Sequence, residues 1–286
     1  MPAPLPYVDR RSMSQMPDAF TTWEAERWEE RAAAYHQHFT PLTSRFVEPL
    51  LDHAEVGPGC RLLDVASGPG YAAAAAAARG AAATGVDIAG AMVKLAGQLH
   101  PEVTFVQVNA ERLPFDDGSF DAVVGNLAIL HFGQPEEAVR EFHRVLVPGG
   151  RVALSTWDVP AAGPLPGIFF QAISEAGAVP PADIPPGPPF YRFADEDEFA
   201  RLLDQAGLAE IGVATIGLTH RFPGTTEVWN WLLEGTVRSS ALVRGQPELM
   251  VARIRRNLER LAAPYANADG TLDLPSSVKI GHGRRG

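Results

Sequence analysis

One segment near residue 60 constrains the fold more than any other part of the sequence. Residues 62–71 read Leu-Leu-Asp-Val-Ala-Ser-Gly-Pro-Gly-Tyr, an apolar strand that carries one carboxylate, Asp64, and runs into a glycine-rich turn. The alanine-rich stretch that follows predicts a helix with small side chains. A buried strand, a glycine turn and a helix in this order are typical of the first unit of a doubly wound α/β fold, where backbone approaches a ligand closely.

The same alternation continues through the middle of the chain. It predicts five parallel strands, at residues 60–66, 82–87, 103–109, 120–126 and 151–156. Ligands of such sheets bind at the carboxyl ends of the strands. The predicted fold class is α/β, a doubly wound and mostly parallel sheet with an N-terminal helical lid and helical cap insertions.

The flanking segments differ in composition from this centre. A proline- and glycine-rich stretch is too long for an ordinary connection, which favours a functional insertion. Helical patterns are predicted at about 195–205 and 225–263, with strands at 209–222 and 271–280. The predicted division is a flexible arm at 1–20, a helical lid at 21–56, the α/β core at 57–158, a substrate cap at 159–194, and the rest of the core at 195–286 with a helical insertion at about 224–265.

Composition excludes several classes of partner and setting. The formal net charge of −10 disfavours a nucleic-acid partner, and the longest apolar stretch, residues 71–78, is too short to span a bilayer. Cys60 is the only cysteine in the chain, so the sequence allows no intrachain disulfide and fits a reducing, cytoplasmic setting. Histidine spacing predicts no metal site, since His36 and His38 lack the i, i+4 separation.

Two carboxylates indicate what kind of ligand the sheet binds. Asp87 ends the second predicted strand, where an acidic side chain accepts hydrogen bonds from ribose hydroxyls. Gly68, Gly70 and Ala73 also fit the relaxed dinucleotide pattern G-x-G-x-x-A, which is weak evidence by itself. Asp64 is an unfavourable neighbour for an anionic pyrophosphate and suits a cationic nucleoside ligand better.

Taken in order, these motifs resemble the class I S-adenosylmethionine (SAM) dependent methyltransferases, particularly the branch of the ubiquinone/menaquinone C-methyltransferases and related enzymes of secondary metabolism. The resemblance covers about residues 60–157. The family's acidic-x-Gly-x-Gly-x-Gly motif corresponds to residues 64–70, where Ala66 replaces the first glycine. The family's Asp-Ala-Glu motif corresponds to Asn109-Ala110-Glu111. Asn109 loses the charge but keeps a carbonyl acceptor.

The resemblance implies SAM as cofactor, S-adenosylhomocysteine as product, and methyl transfer to a small molecule. The cofactor-binding residues it implies are Asp64, Ala66, Ser67, Gly68, Gly70, Asp87, Ile88, Met92, Asn109, Ala110, Glu111 and Asn126.

The acceptor side carries weaker signals. His131, just past the fourth predicted strand, is a candidate general base, with a pocket-shaping role as the alternative. Further candidates for the substrate pocket, each favoured as wall rather than base, are Tyr35, His36, Trp157, Tyr191 and His220. Aromatic side chains of the N-terminal helix, the cap and the helical insertion predict an apolar pocket for an apolar or aromatic acceptor, with O-, C- and N-methylation all open.

Three other functions stay open at this stage. The chain can use SAM for non-methyl chemistry such as cyclisation, act as an NAD-dependent oxidoreductase, or bind the cofactor without catalysis. Its oligomeric state, monomer or homodimer, is equally open.

Overall fold

A seven-stranded sheet forms the centre of the part of the chain that the structure describes. The computed structural model describes residues 18–286. Of the arm predicted at 1–20, residues 1–17 lie outside the described residues, whereas Ala19 and Phe20 begin the first helix. The strands are β1 (Arg61–Val65), β2 (Ala82–Asp87), β3 (Thr104–Gln107), β4 (Phe120–Gly125), β5 (Leu146–Trp157), β6 (Leu208–Phe222) and β7 (Leu272–Arg285). Their order is β3-β2-β1-β4-β5-β7-β6, and only β7 runs antiparallel to its neighbours.

Helices cover both faces of this sheet. They are α1 (Ala19–His38), α2 (Thr40–Thr43), α3 (Val47–His53), α4 (Tyr71–Ala78), α5 (Gly90–Leu99), α6 (Pro135–Val145), α7 (Pro164–Ala176), α8 (Glu196–Gln205), α9 (Thr225–Gly235), α10 (Arg238–Arg244) and α11 (Glu248–Ala262). Among the helices of residues 18–286, none has the length and apolar composition of a membrane-spanning segment.

Side chains alternate between two apolar cores, one on each face of the sheet. Along β1, Leu62 belongs to the core under α3, α4, α7, α9 and α11, whereas Leu63 belongs to the core under α6 and α8. Both residues are fully buried. A sheet covered on both faces requires such continuous apolar strands, so the structure confirms the predicted doubly wound fold.

Local sequence accounts for where the helices begin and end. In α6, Pro135 occupies the first turn, acidic residues follow it and basic residues close the helix, which complements the helix dipole. The alanines of α4 let that helix pack closely against β1 and β2.

Three boundaries differ from the sequence predictions. Strand β5 begins at Leu146 rather than 151, because Leu146 pairs with Phe120 before the register shifts at a bulge around the left-handed Gly149. Strand β7 extends to Arg285 because it pairs along both edges. The predicted helix at 225–263 is three helices, interrupted after Gly235 and again before Pro247.

The segment at 159–194 contains a regular element that composition concealed. Helix α7 starts at Pro164, ends at the left-handed Gly177 and packs against α11. Helix α1 packs on α5 and α9, and with α7 and the α9–α10 junction it supplies side chains that line a cleft.

Candidate active site

The carboxylate of Asp64 lies at the carboxyl end of β1, almost completely buried. Its Oδ2 accepts a hydrogen bond of 3.0 Å from the backbone N–H of Ala73 in α4. Burial raises the pKa of Asp64 to about 8, and the nearby carboxylate of Asp87 adds to this rise. A cation bound beside Asp64 would offset that penalty.

Three left-handed residues shape the turn between β1 and α4. Ala66, Gly68 and Gly70 have φ values of 49°, 51° and 85°. A Cβ at position 70 would lie 2.4 Å from the Phe105 ring, so only glycine fits there. Ala66 adopts the same region with a side chain, at a cost of about 1–2 kcal/mol. The turn therefore keeps its backbone close to the cleft.

Asp87 joins this turn to the next one. Its Oδ2 accepts from the backbone N–H of Gly68 at 2.8 Å, and its Oδ1 accepts from the N–H of Ala89 at 2.9 Å. The side chain is buried, which raises the pKa of Asp87, while these two hydrogen bonds oppose the rise. Each carboxylate oxygen retains a further lone pair, so Asp87 can accept hydrogen bonds from a diol in the cleft.

The turns after β3 and β4 complete the same edge. Oδ1 of Asn109 accepts the N–H of Glu111 at 2.9 Å, and Oε1 of Glu111 accepts the N–H of Gln134 at 2.9 Å. The amide of Asn126 donates to the carbonyl of Thr43 at 2.9 Å. These polar side chains thus hold the loops in place, and the carbonyl of Asn109 has one lone pair already engaged.

Helix α1 contributes a buried carboxylate opposite this edge. Glu24 is 2% exposed; its Oε2 accepts from Trp28 Nε1 at 2.8 Å and lies 3.0 Å from His131 Nδ1. Within the described residues, Oε1 of Glu24 and Oγ1 of Thr21 have no hydrogen-bond partner. Both residues line the cleft.

The rest of the wall is largely aromatic. The cleft comprises about 1200 Å³ of space, which includes solvent at its open mouth. Its rings come from six separate segments of the described chain. Trp231 stacks on Phe39 with 4.0 Å between the ring centroids, and its centroid lies 5.1 Å from that of Phe169. The lining rings are Trp28, Tyr35, Phe39, Phe132, Trp157, Phe169, Phe170, Phe190 and Trp231, together with His131.

Most of the predicted site residues meet at this place. Those that line the cleft are Tyr35, Ala66, Gly68, Asp87, Ile88, Met92, Asn109, Ala110, Glu111, Asn126, His131 and Trp157. Asp64 and Ser67 line a smaller adjoining cavity that also touches Tyr35 and Gly68. Gly70 acts through the shape of the turn.

Three predicted pocket residues lie elsewhere. His36 lies 3.4 Å from the hydroxyl of Tyr71, outside the lining of both cavities. Tyr191 packs behind Phe190, and His220 packs on Phe222 along β6. The prediction that these three face the substrate pocket is therefore wrong: His36 sits on α1 one residue beyond Tyr35, which does line the cleft, and chain proximity alone did not set its direction.

Sequence reasoning missed Glu24, Thr21 and the α9–α10 junction, whose Arg238 lines the cleft. A signal for Glu24 exists, because it stands four residues before Trp28 on one face of a helix with buried rings. For Arg238 the sequence offers no comparable signal.

Comparison with known proteins gives a consistent result. A family profile described as a methyltransferase domain matches residues 63–154. A demethylmenaquinone methyltransferase from Renibacterium salmoninarum is 31% identical over 134 residues, 47% of this chain and 56% of that protein. A ubiquinone/menaquinone biosynthesis C-methyltransferase from Rhizobium johnstonii is 33% identical over 171 residues, 54% of this chain and 66% of that protein.

Solved structures agree on the fold. The crystal structure of a candidate methyltransferase from an antibiotic biosynthesis pathway of Anabaena variabilis matches with a TM-score of 0.57 and 23% identity, over 82% of this chain and 96% of that one. The two sequence relatives are matched over less than two thirds of their own length, 56% and 66%. The residues matched by the family profile, 63–154, run from β1 into β5.

Proposed function

We propose that the chain is a class I SAM-dependent methyltransferase that transfers a methyl group from SAM to a small, apolar or aromatic organic acceptor. The observation that carries this proposal is the pair of buried carboxylates, Asp87 in the lining of the aromatic cleft and Asp64 in the smaller cavity beside it, on either side of one left-handed turn. That arrangement offers anionic and hydrogen-bonding contacts to a cationic nucleoside, and an apolar wall to the molecule that accepts the methyl group.

The residues present fit this cofactor. Asp87 would accept the ribose hydroxyls, and Ile88 and the buried Met92 would contact the adenine. Asp64 would face the positive charge of the amino acid part, and Ser67, whose buried Oγ has no partner within the described residues, would supply a polar contact beside it. When bound, SAM supplies a methyl group activated by a positively charged sulfur.

The chain's own contribution is positioning and proton removal. The cleft walls exclude water and hold the acceptor close to the methyl group, which supplies much of the rate of a displacement at carbon. His131 lines the cleft and is the proposed proton acceptor, since a neutral imidazole ring has one nitrogen with a free lone pair.

The acceptor class follows from the lining. Among the described residues, nine aromatic side chains besides His131 line the cleft, and its other acidic and basic side chains are Glu24, Asp87, Glu111 and Arg238. The two relatives are named for menaquinone and ubiquinone biosynthesis, and a quinol-like or other aromatic ring suits such walls. We propose an aromatic or quinol-type acceptor.

The experiment begins with calorimetric titration of the full chain with SAM, S-adenosylhomocysteine and NAD. Binding of the first two ligands without NAD supports the proposal; preference for NAD would refute it. A mass-spectrometric screen of phenols, quinols and polyketides with SAM should then find a product heavier by one methylene. Turnover that leaves SAM unconsumed would instead indicate non-methyl chemistry on this fold.

A further inference from the structure

The hydrogen bond between Glu24 and His131 has a fixed direction. Glu24 Oε2 lies 3.0 Å from Nδ1 of His131, and an ionised carboxylate can only accept. Nδ1 must therefore carry a proton and donate it, which leaves the lone pair of the neutral ring on Nε2. Side chains of the two residues are 3% and 27% exposed, so the pair is largely shielded from water.

The surroundings hold Glu24 in this geometry. Trp28 donates to the same oxygen at 2.8 Å and places its ring edge-on against His131, with 5.2 Å between the ring centroids. The charge of Glu24 acts on Arg238, opposing the lowering of the pKa of Arg238 by burial, and His131 acts electrostatically on Asp87 and lowers the pKa of Asp87. The histidine thus lies among a buried carboxylate, an indole and a second carboxylate.

We propose that Glu24 is a positioning residue that fixes His131 in the Nδ1–H tautomer, so that Nε2 is the proton acceptor of the cleft and the substrate atom that is methylated carries a proton. This inference rests on the proposed function and narrows its substrate class. Hydroxyl groups, above all phenolic ones, belong to that class, whereas tertiary amines and thioethers have no proton to lose and need no such base.

The chemistry balances with the residues present. With SAM bound as the methyl donor, the acceptor oxygen would form the new C–O bond as the C–S bond of the sulfonium breaks with its electron pair going to sulfur, and the hydroxyl proton would pass to Nε2 of His131. The carboxylate of Glu24 stabilises the imidazolium that results, and solvent later removes the proton. No oxidant or further co-reactant is needed.

The unpartnered Oε1 of Glu24 strengthens the link to a ligand. It is a buried carboxylate oxygen in the cleft lining, and burying a polar atom without a hydrogen-bond partner destabilises a protein. A hydrogen-bond donor on the substrate would satisfy it. Thr21 Oγ1, one turn earlier in α1, is unpartnered within the described residues in the same way.

The test is the tautomer of His131 in the full chain, read by long-range ¹H–¹⁵N NMR of histidine-labelled protein without cofactor. His131→Phe assigns the signal. We expect the Nδ1–H form in the unmodified protein, and a shift toward the Nε2–H form in both Glu24→Gln, which keeps the side-chain shape, and Glu24→Leu. Glu26→Gln, an exposed acid on the same helix, should change nothing.

Either an Nε2–H ring in the unmodified protein or an unchanged tautomer in both Glu24 variants would overturn the proposal. Failure of the proposed function would look different, as absent binding of S-adenosylhomocysteine by the unmodified chain. With an accepted acceptor in hand, His131→Phe should lower kcat about 100-fold or more. Glu24→Gln should lower kcat at least tenfold with KM nearly unchanged.

Discussion

The two sides of the cleft are built by different rules. The strand-end side consists of the turns after β1 and β2, where Asp87 accepts hydrogen bonds from two backbone N–H groups and neighbouring residues adopt left-handed φ values. The covering side consists of α1, α7 and the α9–α10 junction, distant in sequence and joined mainly by ring contacts such as Trp231 on Phe39.

This difference teaches how strictly each side constrains its residues. A backbone hydrogen bond or a positive φ accepts few residue types, because geometry and steric clash decide. A ring contact in a wall needs volume and apolar surface, which several residues and several chain segments can supply. The first side is therefore rigid in sequence, and the second can vary from one substrate to another.

The largest effect is expected on the covering side. Trp231 is 2% exposed and contacts Phe39 and Phe169, so Trp231→Ala should lower the free energy of unfolding by about 3–5 kcal/mol. Denaturant titration measures this, with the exposed Leu249→Ala as a control near zero. If the folded variant also loses its affinity for S-adenosylhomocysteine, packing on the covering side controls cofactor binding at the strand ends, and the two sides are not independent.

Next in size is a change on the strand-end side. Asp87→Ala removes the acceptor of the ribose hydroxyls and of two backbone N–H groups, so affinity for S-adenosylhomocysteine should fall about 100-fold. Calorimetric titration gives the ratio. Asp121→Ala, at the amino-terminal end of β4 in an exposed ion pair with Arg61, serves as the control. A loss below threefold would contradict the role given to Asp87.

The pH dependence of the free energy of unfolding tests the strand-end side alone, and it needs no ligand. The pKa of Asp64 is about 8 in the folded chain and 3.8 ordinarily, so the folded state binds more protons between these values. Its contribution therefore lowers the free energy of unfolding as pH rises from about 4 to about 8. Denaturant titrations at pH 5 and pH 8.5 should show a larger decline for the unmodified chain than for Asp64→Asn; equal declines would assign the effect to other groups.

The smallest effect concerns the turn itself. Ala66 has a φ of 49°, so Ala66→Gly should raise the free energy of unfolding by about 1 kcal/mol or less, after the greater freedom of glycine in the unfolded chain is subtracted. Thermal unfolding measures the shift. Gly70→Ala is the opposing variant and should destabilise, because its Cβ meets Phe105. A destabilised Ala66→Gly would show that the Ala66 methyl group packs usefully.

Sequence predicted the strand-end side well for a physical reason. Asp64, Gly68 and Asp87 lie within one β-turn-α-β unit, so their spacing along the chain reports their meeting in space. The residues of the covering side were harder to predict from the sequence. Tyr35 and Trp157 were placed in the wall, whereas His220 and Tyr191 were misplaced, since tertiary packing decides which face of a long strand or an irregular segment meets the cleft.

Glu24 shows the same limit of prediction from sequence, here for a site residue that was not predicted. A glutamate in a helix with exposed acids around it is ordinarily solvated, and its burial depends on Trp28 and on His131, which lies 107 positions away. Helix α7 was hidden by the proline and glycine content of its surroundings, although Pro164 and Gly177 bound it at the positions where helices tolerate them.

The way the chain leaves and rejoins the sheet between β6 and β7 has a consequence for diversification. Phe222 and Leu272, the last residue of one strand and the first of the next, are partners in the antiparallel ladder, and α9, α10 and α11 lie between them. The pairing of β6 with β7 thus holds the two ends of this segment together. The entropic cost of closing such a loop grows only slowly with its length. The segment can therefore be lengthened, shortened or exchanged to recognise new molecules, while the pairing of β6 with β7 keeps its register.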